Sequence, residues 1–261
     1  MMTFALNAAE PAKVLWDLRH WVNRSLELND SQSAITVLVF AVLCMIIPYL
    51  LGSINPAIII SKLFFRDDVR LHGSGNAGST NMLRTYGVKA GALTFVCDML
   101  KTVIAMVIGR LLLGEIGMSL SGFFAGFGHM FPIYYKFKGG KGVACYATVA
   151  LMISPLTFLG VLFIFIVVLV GTKFVSLASV MAAIFYPLLL NAFAHDFALG
   201  VAMAVVETCF VVFMHRANLK RIWNYEENKF DFSKFKLKKK PKTENSDEHT
   251  ATETKDGGRE K

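Results

Sequence analysis

Two stretches of the chain, Ser31–Ser61 and Gly142–Thr172, contain no charged residue. Each is longer than the ~20 residues an α-helix needs to cross a bilayer. Further apolar segments lie between and after them, divided by short polar turns. The pattern predicts helices over about 35–62, 88–113, 116–136, 142–153, 156–172, 174–194 and 197–215. Ser154-Pro155 divides the second uncharged run, because proline inside a helix removes a hydrogen bond and clashes with the preceding turn. The reading is an all-α integral membrane protein with about seven transmembrane helices.

Charge decides the count and the orientation. Arg66, Arg70, Arg84 and Lys89 follow the first helix, Lys136, Lys138 and Lys141 the third, Lys173 the fifth, and Arg216, Lys220 and Arg221 the last. The alternate turns near 114–118, 154–155 and 195–196 carry no Lys or Arg. Seven crossings place every basic loop on the cytoplasmic side, with the N-terminus outside and the C-terminus inside. Six would put Lys173 and the tail on the wrong face.

Composition agrees: 54% of residues are hydrophobic and the mean hydropathy is +0.50. Residues 1–34 form a leader without a signal-peptide core, in which Val14, Leu15, Leu18, Trp21 and Val22 have helical spacing suited to a membrane surface. Residues 35–227 form the membrane domain. Residues 228–261 read as a tail, basic around 234–242 and then polar, without the apolar residues that build a core. Its basic part suits anionic headgroups or plain solvation, and no interleaved aromatics point to nucleic acid. The cysteines Cys44, Cys97, Cys145 and Cys209 stand singly, in no metal or redox spacing.

The candidate chemistry lies in the loops. Residues 72–84, HGSGNAGSTNMLR, contain Gly73-x-Gly75-x-x-Gly78, the letter pattern of a dinucleotide-binding turn. That turn requires a preceding β-strand, whereas here an apolar helix precedes it. The glycines can still turn backbone N–H groups toward an anion, with Ser74, Asn76, Asn81 and Arg84 adding donors and a helix start beyond. Gly139-Gly140-Lys141-Gly142 repeats the arrangement before the fourth helix. Ser176 and Ser179 are spaced i,i+3 at the start of the sixth helix, and His215 and Asn218 are spaced likewise at the end of the seventh. Asp98 and Lys101 form an i,i+3 pair inside the second helix, expensive unless mutually satisfied. Glu207 lies eleven residues before Asn218, on a similar face, and has no evident role.

The blocks GSINPA (52–57), GSGNAGSTNMLR (73–84), GHMFPIYYKFKGGKGVA (128–144), SLAS (176–179) and HRANLKRIWNYEE (215–227) resemble, in order, the motifs of the bacterial acyl-phosphate:glycerol-3-phosphate acyltransferases, the PlsY family. The resemblance implies a seven-helix enzyme of the cytoplasmic (inner) membrane. Such an enzyme moves a fatty acyl group from acyl phosphate to the sn-1 hydroxyl of glycerol 3-phosphate, giving lysophosphatidic acid and phosphate, with no cofactor or metal. It further implies catalytic roles for Ser74, Arg84, Lys141, Ser179, His215 and Asn218. Substrate binding would fall to Gly73, Gly75, Asn76, Gly78 and Asn81, and structural support to Ser53, Arg70 and Glu227; the loop and spacing patterns add Gly139, Gly140 and Ser176 as phosphate binders and the Asp98–Lys101 pair as structural. Asn55-Pro56, Ser79 and Cys145 depart from the pattern.

No Ser or Cys stands in a nucleophile elbow, and no His is followed five residues later by Asp. Direct attack by the substrate hydroxyl, without an acyl-enzyme, is therefore expected. An organic-phosphate or anion transporter is the rival class. Transporters place ligands near the bilayer midplane, however, and here the cations sit in loops on one face.

Overall fold

The computed structural model describes residues 29–194 and 198–232. The amphipathic segment within 1–28 and the basic run at 234–242 lie outside the described residues. Among these residues there are nine α-helices, two 3₁₀ turns and no strand. The helices are α1 (Asp30–Ser53), α2 (Pro56–Phe65), α3 (Ser79–Tyr86), α4 (Val88–Met130), α5 (Val143–Ile153), α6 (Pro155–Thr172), α7 (Val175–Phe193), α8 (Ala198–Met214) and α9 (Arg216–Trp223).

α1 begins five residues before the predicted start. Asn29 accepts from the Gln32 N–H while the Gln32 side chain accepts from the Asn29 N–H, a reciprocal cap. The first predicted helix is also not continuous. It breaks at Ile54-Asn55, where Asn55 caps α2 through the Ile58 N–H and Pro56 takes the first helical position. A break within apolar surroundings leaves carbonyls that need donors. Lys101 Nζ supplies them, donating to Gly52 O at 3.0 Å and Ile54 O at 2.8 Å.

α4 is interrupted where Leu113 and Gly114 leave helical geometry, with Gly114 at φ 60°, ψ −142°. Glycine alone enters that region cheaply. Gly109 and Gly117 would stand ~12 Å apart along a straight helix. Instead, a Cβ on Gly109 would lie 2.2 Å from Gly117 O, and one on Gly117 would lie 2.1 Å from Gly109 O. α4 is thus a hairpin, and its arms match the two helices predicted at 88–113 and 116–136. α1 packs along it through small residues. A Cβ on Gly52 would meet Ala125 O at 2.1 Å, and one on Gly128 would meet Tyr49 O at 2.3 Å.

The second arm ends at Met130, short of 136, because Pro132 opens the 3₁₀ turn Ile133–Tyr135. Ser154-Pro155 ends α5 and caps α6, as the sequence implies. α8 and α9 meet at His215 with a bend of 52°.

Four helical stretches are long and apolar enough to cross a bilayer, or five if α8 and α9 count together. α5, with 11 residues, reaches only about 16 Å along its axis. Large apolar side chains face outward, among them Leu38, Phe163 and Leu188 at 64%, 68% and 63% exposure. Such a surface is unfavourable in water and suited to lipid. The protein is an integral membrane protein.

Candidate active site

The 72–78 loop is built around Asn81. Its buried amide donates to Val69 O (2.9 Å) and His72 O (3.0 Å) and accepts from the Ser74 N–H (3.0 Å). Gly73 and Gly75 take positive φ, 57° and 70°, and a Cβ on Gly73 would strike Asn81 Oδ1 at 2.3 Å. Contrary to the expectation that the loop leads into the helix predicted from 88, a shorter helix intervenes. The loop opens the eight-residue α3, whose start carries no side-chain cap. Ser79 and Thr80 therefore bring backbone donors to the wall of the cavity described below. One turn on, Arg84 reaches across the chain, its Nη2 donating to Asn228 O at 3.0 Å. The ordered chain continues past 227: the Phe230 N–H donates to Lys173 O at 2.6 Å, so the start of the expected tail is a strap across the site.

The second glycine loop is laid over a histidine. The Gly140 N–H donates to His129 O at 3.0 Å. A Cβ on Gly140 would lie 2.0 Å from His129 Nε2, and one on Gly139 would lie 2.1 Å from His129 O. These glycines permit close approach of the backbone to His129, and the loop then delivers Lys141 to the cavity. Lys141 Nζ donates to Asn218 Oδ1. Asn218 in turn donates to Glu227 Oε1 at 2.6 Å, which also accepts from Ser176 Oγ at 2.9 Å. Arg221 Nε donates to Glu227 Oε2 at 2.8 Å.

Burial pulls the Lys141 ammonium down to about 8, with Glu227 opposing and Arg221 and Arg84 assisting. Burial works to raise the Glu227 carboxyl, but hydrogen bonds from Asn218, Arg221 and Ser176 outweigh it and hold it below its usual value. Burial, reinforced by Lys141, lowers His215 to about 4. The ring is therefore neutral at ordinary pH. Its Nδ1 lies 2.8 Å from Val211 O, which can only accept, so Nδ1 carries the proton and Nε2 is left as an acceptor.

These pieces enclose one cavity of about 360 Å³. Ser74, Arg84, Lys141, Ser179, His215 and Asn218 all line it, drawn from α3, α7, α9 and the loops. Asn76, Gly78, Asn81, Ser176, Asp98 and Glu227 line it too, whereas Gly73, Gly75, Gly139, Gly140, Ser53, Arg70 and Lys101 stand behind the wall. Arg70 is taken up by Asp68 at 2.6 Å, and Ser53 Oγ donates to Tyr49 O at 2.8 Å.

His129 was not among the sequence candidates. It lies 3.1 Å from Asp98 Oδ1 and 2.9 Å from Lys101 Nζ, and Lys101 is 2.8 Å from Asp98. Its signal was a single histidine within an apolar helix, expensive without partners. Asp98, His129 and Cys145 hold potential metal-ligating atoms within 4.8 Å of one another. Lys101 already supplies positive charge there, and an ion would have to displace it.

The other wall, with Phe95, Val143 and Phe165, is apolar and continues into a second cleft of about 160 Å³. An all-helical membrane protein with a cationic, hydroxyl-rich cavity joined to an apolar cleft is of the class that handles a phosphorylated amphiphile at a membrane border. The particular family follows from comparison. Residues 42–225 match the family model described as glycerol-3-phosphate acyltransferase. The glycerol-3-phosphate acyltransferase of Bacillus subtilis (strain 168) is 44% identical over 187 residues, 72% of this chain and 96% of that protein. The one from Thermoanaerobacter pseudethanolicus is 42% identical over 190 residues, covering 73% and 96%. Crystal structures of PlsY (YgiH), an integral membrane glycerol 3-phosphate acyltransferase, superpose with TM-scores of 0.68 (glycerol 3-phosphate form) and 0.66 (lysophosphatidic acid form). They are 34% and 33% identical and cover 73% and 74% of this chain, and 96% and 97% of their own. The chain belongs to the glycerol-3-phosphate acyltransferase family.

Proposed function

We propose that this protein transfers a fatty acyl group from acyl phosphate to the sn-1 hydroxyl of glycerol 3-phosphate at the cytoplasmic face of the bacterial inner membrane. The observation that carries the reading is the gathering of Ser74, Arg84, Lys141, Ser179, His215 and Asn218 around one cavity that shares an apolar wall with a second cleft. The cavity suits phosphates, and the cleft between α5, α6, α7 and α8 suits the acyl chain. The first steps of lipid assembly supply this pairing of a charged head with a chain.

The hydroxyl oxygen attacks the carbonyl carbon of the acyl phosphate. The bond from that carbon to the bridging phosphate oxygen breaks, and inorganic phosphate leaves. The hydroxyl proton passes to the phosphate of glycerol 3-phosphate. A mixed anhydride has a good leaving group, so positioning and charge stabilisation can supply most of the acceleration. Arg84 and Lys141 neutralise phosphate charge, Ser74 and Ser179 add hydrogen bonds, and neutral His215 orients glycerol 3-phosphate by accepting through Nε2 from its other hydroxyl, the one that does not attack. Asn218 and Glu227 hold Lys141 and α9 in register.

Seven crossings are supported by the α4 hairpin and by the basic residues of the site loops, with the N-terminus outside and the C-terminus in the cytoplasm. Purified protein given acyl phosphate and labelled glycerol 3-phosphate should release labelled lysophosphatidic acid and phosphate. Uptake of the label into vesicles without product would make it a transporter, and a trapped acyl-enzyme would overturn direct attack.

A further inference from the structure

Glu207 is a buried carboxyl to which nothing above gives a task. It is 2% exposed, and its Oε2 has no hydrogen-bond partner among the described residues; the same holds for the hydroxyl of Tyr146. Both face the second cleft, as does Tyr186. A polar atom so placed in apolar surroundings is costly unless something visits it or something must be kept from it.

The cleft has a direction. α5 presents Val143, Tyr146, Ala147 and Ala150 to it, α6 presents Phe158, Val161, Leu162 and Phe165, and α7 presents Ser179, Ala182, Ala183 and Tyr186. Each set has the spacing i, i+3, i+4, i+7, one face of a helix over two turns. Val143, Phe165 and Ser179, one end of each stripe, also line the phosphate cavity. The opposite ends are Ala150, Phe158 and Tyr186, which pack with Leu190 and Ala204 into an apolar cluster. The cleft therefore runs about 10 Å from the site into the membrane and stops. Glu207, eight residues before His215, reaches it at the deep end, about 12 Å down α8.

We propose that Glu207, with Tyr186 at the same deep end, forms a polar floor that sets the length of acyl chain the enzyme accepts. This rests on the acyltransferase reading given above. One leaflet of hydrocarbon is about 15 Å deep, half of ~30 Å, so a chain matched to the leaflet overruns a 10 Å cleft. Its terminal methylenes would press on the unpaired Glu207 carboxyl, whereas a shorter chain fills the aliphatic stripes and stops above it. The floor selects against length by desolvation as well as by bulk.

The test is a profile of kcat/KM against a series of acyl phosphates of increasing chain length, with glycerol 3-phosphate saturating. Glu207→Leu should move the optimum to longer chains, gaining roughly four-fold in preference per added methylene newly accommodated. Glu207→Gln, which keeps a polar floor, should keep the wild-type cut-off. Ala147→Leu, halfway down the α5 stripe, should move the optimum to shorter chains without touching the floor. An active Glu207→Leu protein with a wild-type profile would overturn the proposal, whatever Ala147→Leu does. If Glu207→Leu does not fold, an unshifted Ala147→Leu profile would overturn it alone. Transfer by the wild type from any member of the series upholds the underlying activity whatever the variants do; transfer from none would remove both.

Discussion

Lys141 meets two opposed demands. The proposed phosphate site needs its positive charge, while the burial that makes that charge effective also favours the neutral amine. Its value of about 8 reflects this balance. The ammonium is present below that pH and lost above it. The KM for glycerol 3-phosphate should therefore rise as pH climbs through about 8, and a Lys141→Arg protein that still binds should lose this limb, because arginine keeps its charge. Lys141→Ala should reduce kcat/KM by on the order of a hundredfold or more, whereas Lys89→Ala, at an exposed position, should leave it unchanged. Equal losses would remove Lys141 from the site. Glu227 acts on the same cation at one remove, through Asn218. Glu227→Ala strands the donors of Asn218, Ser176 and Arg221, and should lower stability by about 1–3 kcal/mol, read as a reduced midpoint of thermal unfolding in detergent. Residue types and order identified the six side chains of the cavity. That Asn81 spends its amide on the loop, and that Gly139 and Gly140 lie over His129, follows from contacts between segments and was not written in the local pattern.

At the scale of elements, close approach governs the site. The second glycine loop can carry Lys141 to the cavity because Gly140 rests on the His129 ring without a side chain. Gly140→Ala should push the loop off by the overlap of a methyl group, at a cost of roughly 1–3 kcal/mol. Activity should fall further than stability, since the displaced loop carries Lys141, the proposed phosphate ligand; a fully active, fully stable Gly140→Ala protein would refute this account. Helix periodicity and Ser154-Pro155 correctly placed α5 to α8. The break at Ile54-Asn55 was missed because apolar composition continues across it, although Asn55-Pro56 marks a helix start. The carbonyls left by that break are satisfied by Lys101, 47 residues further along from Ile54, and no local window contains both.

The whole molecule turns on the reversal at Gly114. Were α4 straight, its ends would lie some 60 Å apart for 43 residues, twice the hydrocarbon core, and Asp98 could not meet His129. Gly117→Leu, which places a side chain against Gly109 O, should prevent the arms from closing and abolish both folded protein and activity. The orientation predicts that a cysteine introduced at Lys89 reacts with an impermeant reagent only from the cytoplasmic side and one at Glu115 only from outside; labelling of both from one side would contradict it. The sequence by itself determined the membrane class, the positions of the apolar helices and the order of the motif blocks, because hydropathy, proline and charge act over a turn or two of chain. Only the tertiary structure decided which glycines border the cavity and which merely let backbones touch, that His129 joins Asp98 and Lys101, and that the GxGxxG of residues 73–78 serves a buried asparagine on one side and the cavity on the other. Those facts depend on distances between residues far apart in the chain, which packing alone sets.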